Sequence, residues 1–490
     1  MNNVDVSDKE RYSKLGFRAG LEIHQQLDTS KLFCRCSSIL TNGEPDFSVK
    51  RKLHKVAGES GKVDSAVEYE HSLNKSFLYQ YSKEGNCLVE LDEEPPKSMN
   101  QEALDIGLQI ALLLNCEIYQ NAQIMRKTVI DGSNTSGFQR TVLIAHSGYI
   151  ETSFGKVPIA SVCLEEDSAR PSESEEKDDN TKILKLDRLG IPLIEIASGV
   201  VEVVPEQIKE AALKIGEILR ACKVKRGIGT IRQDVNVSVR GHERVEIKGF
   251  QDPSMMVKTI NIEIARQLKN VEEGKIKGEV RGALPNGESK FNRPMPGSAR
   301  MYPETDLPLL KISRERINSL KKNLPKLKNE IKKSLEKKGL SGELLNLVLD
   351  GNVEEFEELL KVHNNSELVA KSITLWRTEF ASKMKKSYEE VKEILNELVI
   401  IKVLEAVEQN KINEGDVKSV LGKILSGEGI EHALKIEKVD YDVLDSEIKK
   451  IVYEKPGLRE GAYMGLIISK LGKDVDKRRA METLKKLIST

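Results

Sequence analysis

The texture of the chain changes abruptly near residue 308, and that change limits the fold more than any single motif does. From residue 17 to about residue 308, short β-branched runs such as Lys127-Thr128-Val129-Ile130 and Val235-Asn236-Val237-Ser238-Val239 are broken by Gly, Asn and Pro, the pattern of strands joined by turns. Helices are interspersed: 103–116 and 205–222 carry apolar residues at three and four spacing, and Pro205-Glu206 suits a helix start. Beyond residue 308 nearly everything reads as amphipathic helix. Ser313 caps one helix, Pro325 restarts another, Gly339 ends it, Ser341 opens the next and Gly351 ends that. From about Lys411 shorter helices follow, the last over 473–488. A chain of 490 residues is too long for one core. We therefore expect an α+β protein: a mixed or antiparallel sheet with helices over 1–310, a helical connector over 311–410 and a small helical tail over 411–490.

Charge and cysteine usage narrow the function classes. Lys plus Arg and Asp plus Glu both number 77, which excludes a uniformly basic nucleic-acid binder but not a local basic patch. One such patch exists, since 311–340 carries eleven Lys or Arg against three acids. It could track phosphates. Alone it reads better as the solvated face of helices whose core side is Ile317, Leu320, Leu324, Leu327, Ile331 and Leu335. The six cysteines, Cys34, Cys36, Cys87, Cys116, Cys163 and Cys222, have no disulfide-like spacing, so a reducing compartment is expected. Residues 1–16 lack an apolar signal core and no run approaches the roughly 18 apolar residues of a membrane span, so we expect a cytoplasmic protein with no membrane partner. The run 171–180, PSESEEKDDN, reads as a solvated loop.

The candidate chemistry lies with carboxylates. In Gly20-Leu21-Glu22-Ile23-His24-Gln25-Gln26-Leu27 a period of two puts Leu21 and Ile23 on the core face of a strand and Glu22, His24 and Gln26 on the other. Glu165 in Val162-Cys163-Leu164-Glu165-Glu166-Asp167 and Glu195 in Ile191-Pro192-Leu193-Ile194-Glu195-Ile196 sit in similarly apolar strands. Acids and an imidazole that converge on one face repel and desolvate one another unless a cation sits between them. A hard divalent ion such as Mg²⁺ suits carboxylate oxygens, although each acid alone reads better as a solvent-facing residue on a half-exposed strand. Asp234, Asn236 and Ser238 share one strand face, as do Glu246 and Lys248, and these could line a phosphate-bearing cleft. No P-loop, Rossmann glycine fingerprint, protein-kinase set, serine elbow or HExxH zinc motif is present. Cys34-Arg35-Cys36 invites a zinc reading, but no second close pair follows and two free thiols are the simpler expectation. Asp131-Gly132-Ser133-Asn134-Thr135-Ser136-Gly137 is an ordinary turn or an anion-holding loop.

A series of longer motifs then carries a resemblance: GLEIH at 20–24, LFCRC at 32–36, LDEEPP at 91–96, DGSNTSGFQRT at 131–141, LEED at 164–167, PLIEI at 192–196, VEIK at 245–248 and MYPETD at 301–306. Together they resemble the GatB/GatE subunits of tRNA-dependent amidotransferases, with wording closest to the archaeal GatE branch. The resemblance implies a glutamine-synthetase-like cradle domain, then a helical domain and a YqeY-like tail that hold tRNA. It implies that the γ-carboxylate of glutamate misacylated onto tRNA(Gln) is phosphorylated by ATP and that ammonia from a GatD-like asparaginase partner displaces the phosphate; glutamyl-tRNA synthetase is a further expected partner. Family metal ligands fall on His24, Glu165 and Glu195, with Glu22 adjoining, for Mg²⁺. From charge and motif neighbourhood we expect Arg188, Lys248 and Arg300 to neutralise the transferring phosphoryl group, with Asp234 beside them and Asn236, Ser238 and Glu246 along the nucleotide. In this context Lys321, Lys322, Lys326, Lys328 and Lys332 become candidate tRNA contacts. One departure is large. The aspartyl-tRNA-synthetase-like insertion usual in GatE is missing, because Arg281-Gly282-Ala283-Leu284-Pro285 is followed after a short stretch by MYPETD. A non-catalytic tRNA-binding scaffold that docks an amidase, and a member acting on Asp-tRNA(Asn), are the rival readings.

Overall fold

The computed structural model describes residues 6–58, 61–172, 180–250, 253–297, 301–435, 441–471 and 477–488. The chain divides into two compact units, Met1–Lys328 and Asn329–Thr490.

An eleven-stranded sheet organises the first unit. In spatial order its strands are Ser289–Pro294, Glu279–Ala283, Val245–Phe250, Ile231–Ser238, Arg18–Gln26, Pro192–Ser198, Gly155–Glu166, Phe138–Thr152, Ile124–Thr128 and Met301–Pro303, with Glu117–Ile118 beside Phe138–Thr152. All pairings are antiparallel except Val245–Phe250 with Glu279–Ala283. Helices Gln101–Leu113, Pro205–Ala221 and Pro253–Glu272 share one apolar core with this sheet. Leu21, Ile23, Ile194, Ile196, Val235 and Val237 meet Leu104, Ile208, Ile215 and Ile260 there. The first helix starts where Asn100 accepts the N–H groups of Glu102 and Ala103. Because strand side chains alternate, the residues between those apolar ones stand together on the other face.

A four-stranded sheet, Phe47–Arg51, Ser76–Tyr81, Thr181–Lys185 and Arg170–Pro171, has its own core around Phe77, Tyr79, Leu184 and Leu186. It backs the 131–137 turn. Gly132 has φ +86°, and a Cβ there would lie 2.1 Å from the Phe77 ring, so only glycine fits. The Tyr79 hydroxyl donates to the Gly132 carbonyl at 2.9 Å.

The break between the units falls at Lys328 rather than 310, because Ile317, Leu320 and Leu327 pack against the core of the first unit and Arg316 Nε donates to Asp105 at 2.6 Å. Ser313 caps its helix as expected, and Gly339 and Gly351 end theirs with φ +91° and +106°. The second unit is helical. One core runs from Leu335 to Ala433 and takes in Val417 and Leu421 from beyond residue 410; a separate cluster, Leu444, Ile448, Ile451, Tyr463, Ile467, Ala480 and Leu484, begins after it. The protein is thus α+β, a large mixed sheet with helices followed, among the described residues, by helices alone. No helix among the described residues is long and apolar enough to cross a membrane.

Candidate active site

The face of the large sheet opposite Leu21 and Ile23 carries a cavity of about 490 Å³. Register explains how distant segments meet in it. His24 lies opposite Glu195 on one neighbouring strand, and Glu22 lies opposite Asp234 on the other. Leu193 pairs with Glu165, so Glu165 shares a face with Glu195, two residues along. His24, Glu165 and Glu195 each place a ligand atom within 4.8 Å of the other two, and Glu22, His24 and Asp234 form a second such group. His24 Nε2 is 3.3 Å from Glu195 and 3.6 Å from Glu22.

A cation that sequence reasoning missed stands among them. Lys127 Nζ, from strand Ile124–Thr128, is 2.6 Å from Glu165 Oε1 and 3.3 Å from Glu195 Oε2. Burial would raise the Glu195 pKa, but Lys127 and His24 outweigh it and hold the carboxyl well below the usual range. Burial would lower His24, and Glu195 and Glu22 overcome that to raise it. Glu22 is raised, first by burial and then by Glu195. On the other flank Lys248 Nζ bonds Asp234 at 2.8 Å and also Glu246; these acids raise its pKa against burial.

The donor set suits a hard dication: four carboxylates and one imidazole, with no thiolate. Charge gathered on a buried face demands a cation, and Lys127 supplies only part of it.

Of the other expected residues, Arg188 lines the cavity, where it bonds the carbonyls of Ser168 and Ala169 at 2.8 and 2.9 Å and approaches Asp167. Asn236 and Ser238 do not line it: they pair with Gly20 and Arg18, further along the strand from Asp234. Arg300 lies outside the described residues. Arg244 and Arg293 line the cavity instead, and among the described residues neither forms an ion pair with a carboxylate. Arg232 also enters it, with its guanidinium 2.9 Å from Asp167. The expected turn at 131–137 contributes Asp131, Ser133 and Asn134 to the wall. Lys321, Lys322, Lys326, Lys328 and Lys332 are all exposed. Cys34 and Cys36 do not stand alone: Cys87 and Glu90 join them, with one donor atom from each within 4.8 Å of the others. The Cys34 thiol donates to Glu90 at 2.9 Å, and no local spacing announces that meeting.

Known proteins share this arrangement of sequence. Residues 17–318 match the family described as the GatB/GatE catalytic domain. The E subunit of the glutamyl-tRNA(Gln) amidotransferase of Methanocaldococcus jannaschii is 33% identical over 628 aligned positions, covering 97% of this chain and 99% of that protein. The corresponding protein of Methanothermobacter thermautotrophicus is 34% identical over 492 positions, covering 73% and 79%, and that of Pyrococcus furiosus is 33% identical over 502, covering 74% and 79%. The first alignment is longer than this chain by 628 − 490 = 138 positions, so the Methanocaldococcus protein holds at least that many residues opposite gaps, as a missing insertion requires. With the catalytic-domain match spanning more than half the chain and these archaeal relatives aligned along as much as 97% of it, the chain belongs to the GatB/GatE family.

Proposed function

We propose that this chain is the subunit of a tRNA-dependent amidotransferase that activates the glutamate of Glu-tRNA(Gln) with ATP and converts it to Gln-tRNA(Gln). The observation that carries this is the convergence of His24, Glu165 and Glu195 in a 490 Å³ cavity, a size suited to a small-molecule site. A carboxylate resists attack by ammonia because its oxygen is a poor leaving group. A γ-carboxylate oxygen attacks the terminal phosphorus of ATP, the bond from that phosphorus to the bridging oxygen breaks, and ADP leaves. Ammonia then attacks the carbonyl carbon of the acyl phosphate, the carbon–oxygen bond to phosphate breaks, and the nitrogen sheds a proton as the amide forms.

Phosphoryl transfer asks a protein chiefly for positioning and charge neutralisation. Arg244 and Arg293, free of ion pairs with carboxylates among the described residues, are placed to take the ATP phosphates. Lys248 is held in one position by Asp234 and Glu246, and the Arg188 guanidinium is fixed by two carbonyls, so both present positive charge without searching for it. His24, Glu165 and Glu195, with Glu22 adjoining, would hold Mg²⁺, which would supply further charge neutralisation. The ammonia comes from a partner of the GatD, asparaginase-like type, and the reaction takes place in the cytoplasm alongside glutamyl-tRNA synthetase. The exposed lysines of 311–338 contact tRNA phosphates, with affinity that falls steeply with salt.

The test is ATP hydrolysis stimulated by Glu-tRNA(Gln), compared between wild type and Glu195→Ala. Stimulation is expected in wild type and lost in the variant. Equal, substrate-independent hydrolysis in both, with tRNA binding intact, would overturn the reading in favour of a scaffold. Replacing the substrate by Asp-tRNA(Asn) in the same assay decides the amino acid.

A further inference from the structure

Nearly every carboxylate in the cavity wall faces a cation of the chain. Glu165 and Glu195 face Lys127, Glu22 faces His24, Asp234 and Glu246 share Lys248, and Asp167 lies by Arg232 and Arg188. Asp131 differs. Among the described residues its carboxylate forms no ion pair, and its Oδ1 accepts only from the N–H and hydroxyl of Ser133, two residues on, at 2.9 and 2.5 Å. Lys182 donates to the Asp131 carbonyl rather than to the carboxylate.

A second group on the same turn lacks a donor. Asn134 is 3% exposed and lines the cavity, and among the described residues its buried Oδ1 has no hydrogen-bond partner. Buried acceptors left unsatisfied are rare in native proteins. A carboxylate and an amide oxygen on one turn are both acceptors, which repel phosphate and suit a group made only of donors, as a primary ammonium is.

The turn is held in place. Tyr79 grips the Gly132 carbonyl, the Phe77 ring fills the space beside Gly132, and the Thr135 hydroxyl donates to the Glu90 carbonyl at 2.7 Å. Asp131 also follows Lys127 by four residues, so their Cα atoms lie within about 14 Å, the span of four extended residues. The Lys127 ammonium touches Glu165. Turn and carboxylate cluster are therefore two fixed points of one cavity.

We propose that Asp131 and Asn134 receive the α-ammonium of the aminoacyl ester while its side-chain carboxylate lies at the His24, Glu165 and Glu195 cluster. This rests on the function proposed above and names how the substrate is gripped. Holding the ammonium orients the side chain toward the phosphates, so Asp131 acts in binding and positioning, apart from the phosphoryl-transfer groups.

The experiment compares Glu-tRNA(Gln) with glutaryl-tRNA(Gln), in which hydrogen replaces the α-amino group, as stimulators of ATP hydrolysis by wild type and by Asp131→Asn. Asparagine keeps an oxygen that can accept from Ser133, so the turn is preserved. In wild type the analogue should lower kcat/KM by roughly tenfold or more, the worth of a hydrogen bond to a charged group. Asp131→Asn should lose a similar factor with Glu-tRNA(Gln) and then treat both substrates nearly alike; Asn134→Ala should narrow the difference partway. A wild type indifferent to the amino group, or an Asp131→Asn loss equal for both substrates, would overturn the ammonium site. No stimulation of wild type by Glu-tRNA(Gln) would instead overturn the proposed function itself.

Discussion

Replacing Lys127 by methionine keeps the bulk of the side chain and removes the ammonium that touches both Glu165 and Glu195. Their facing oxygens lie within 4.8 Å, and two like charges at that separation repel by about 3.5 kcal/mol at an effective dielectric of about 20. The Glu165 side chain is only 2% exposed, so solvent screens little of this. In chelator-treated protein near neutral pH, Lys127→Met should therefore lose about 3 kcal/mol of unfolding free energy in urea denaturation, in line with the cost of breaking a buried pair. Adding Glu165→Gln to Lys127→Met deletes one of the two opposed charges and should restore most of that loss. Mg²⁺ should stabilise Lys127→Met more than wild type, because a dication replaces the missing positive charge. A single-mutant loss below about 1 kcal/mol, or a double mutant no more stable than the single, would refute the view that Lys127 neutralises this cluster.

Two further outcomes follow from ion pairs away from the cavity carboxylates. Burial would raise the Glu304 carboxyl, but bonds from Arg126, the Asp306 N–H and Arg140 hold its pKa below the ordinary value. A carboxyl depressed in the folded state adds stability above its unfolded pKa of about 4.3 and loses it as pH falls through the folded value. The advantage of wild type over Glu304→Gln should accordingly be full above about pH 5 and shrink in acid; a difference independent of pH would contradict this. In the helical unit Arg377 is fully buried, with Nη1 2.8 Å from Glu355 and Nη2 2.6 Å from the Leu395 carbonyl. Arg377→Met should cost that unit about 3–5 kcal/mol in denaturation, largely recovered by adding Glu355→Leu, since it is the stranded charge that destabilises.

Local rules made part of this structure legible. Ser313, Gly339 and Gly351 marked helix ends because capping and left-handed backbone are properties of a few adjacent residues. The period of two placed Glu22 and His24 together for the same reason. Domain borders were less accessible: Ile317, Leu320 and Leu327 show the same amphipathic spacing whichever core receives them, and they pack on the core of the first unit. Sharing a face also proved weaker than sharing a site. Ser238 lies on the same face as Asp234, but four residues of strand carry it about 13 Å away, opposite Arg18 at the end of the neighbouring strand.

Register is what no local pattern contains. Glu22 meets Asp234, and His24 meets Glu195, only because strands some 170 to 210 residues apart pair as they do. Lys127 sits in a five-residue strand with no alternation to announce it. Yet electrostatics did announce that something like it was needed: buried acids on one face require a cation, and the carboxylate pattern alone assigns the whole of that requirement to a metal. Lys127 meets part of it within the chain. The same reasoning applied in reverse exposes Asp131, an acid in the cavity wall that no cation of the described chain answers. Where a wall of paired charges leaves one acid and two arginines without ion pairs among the described residues, those are the groups we propose to meet the substrates.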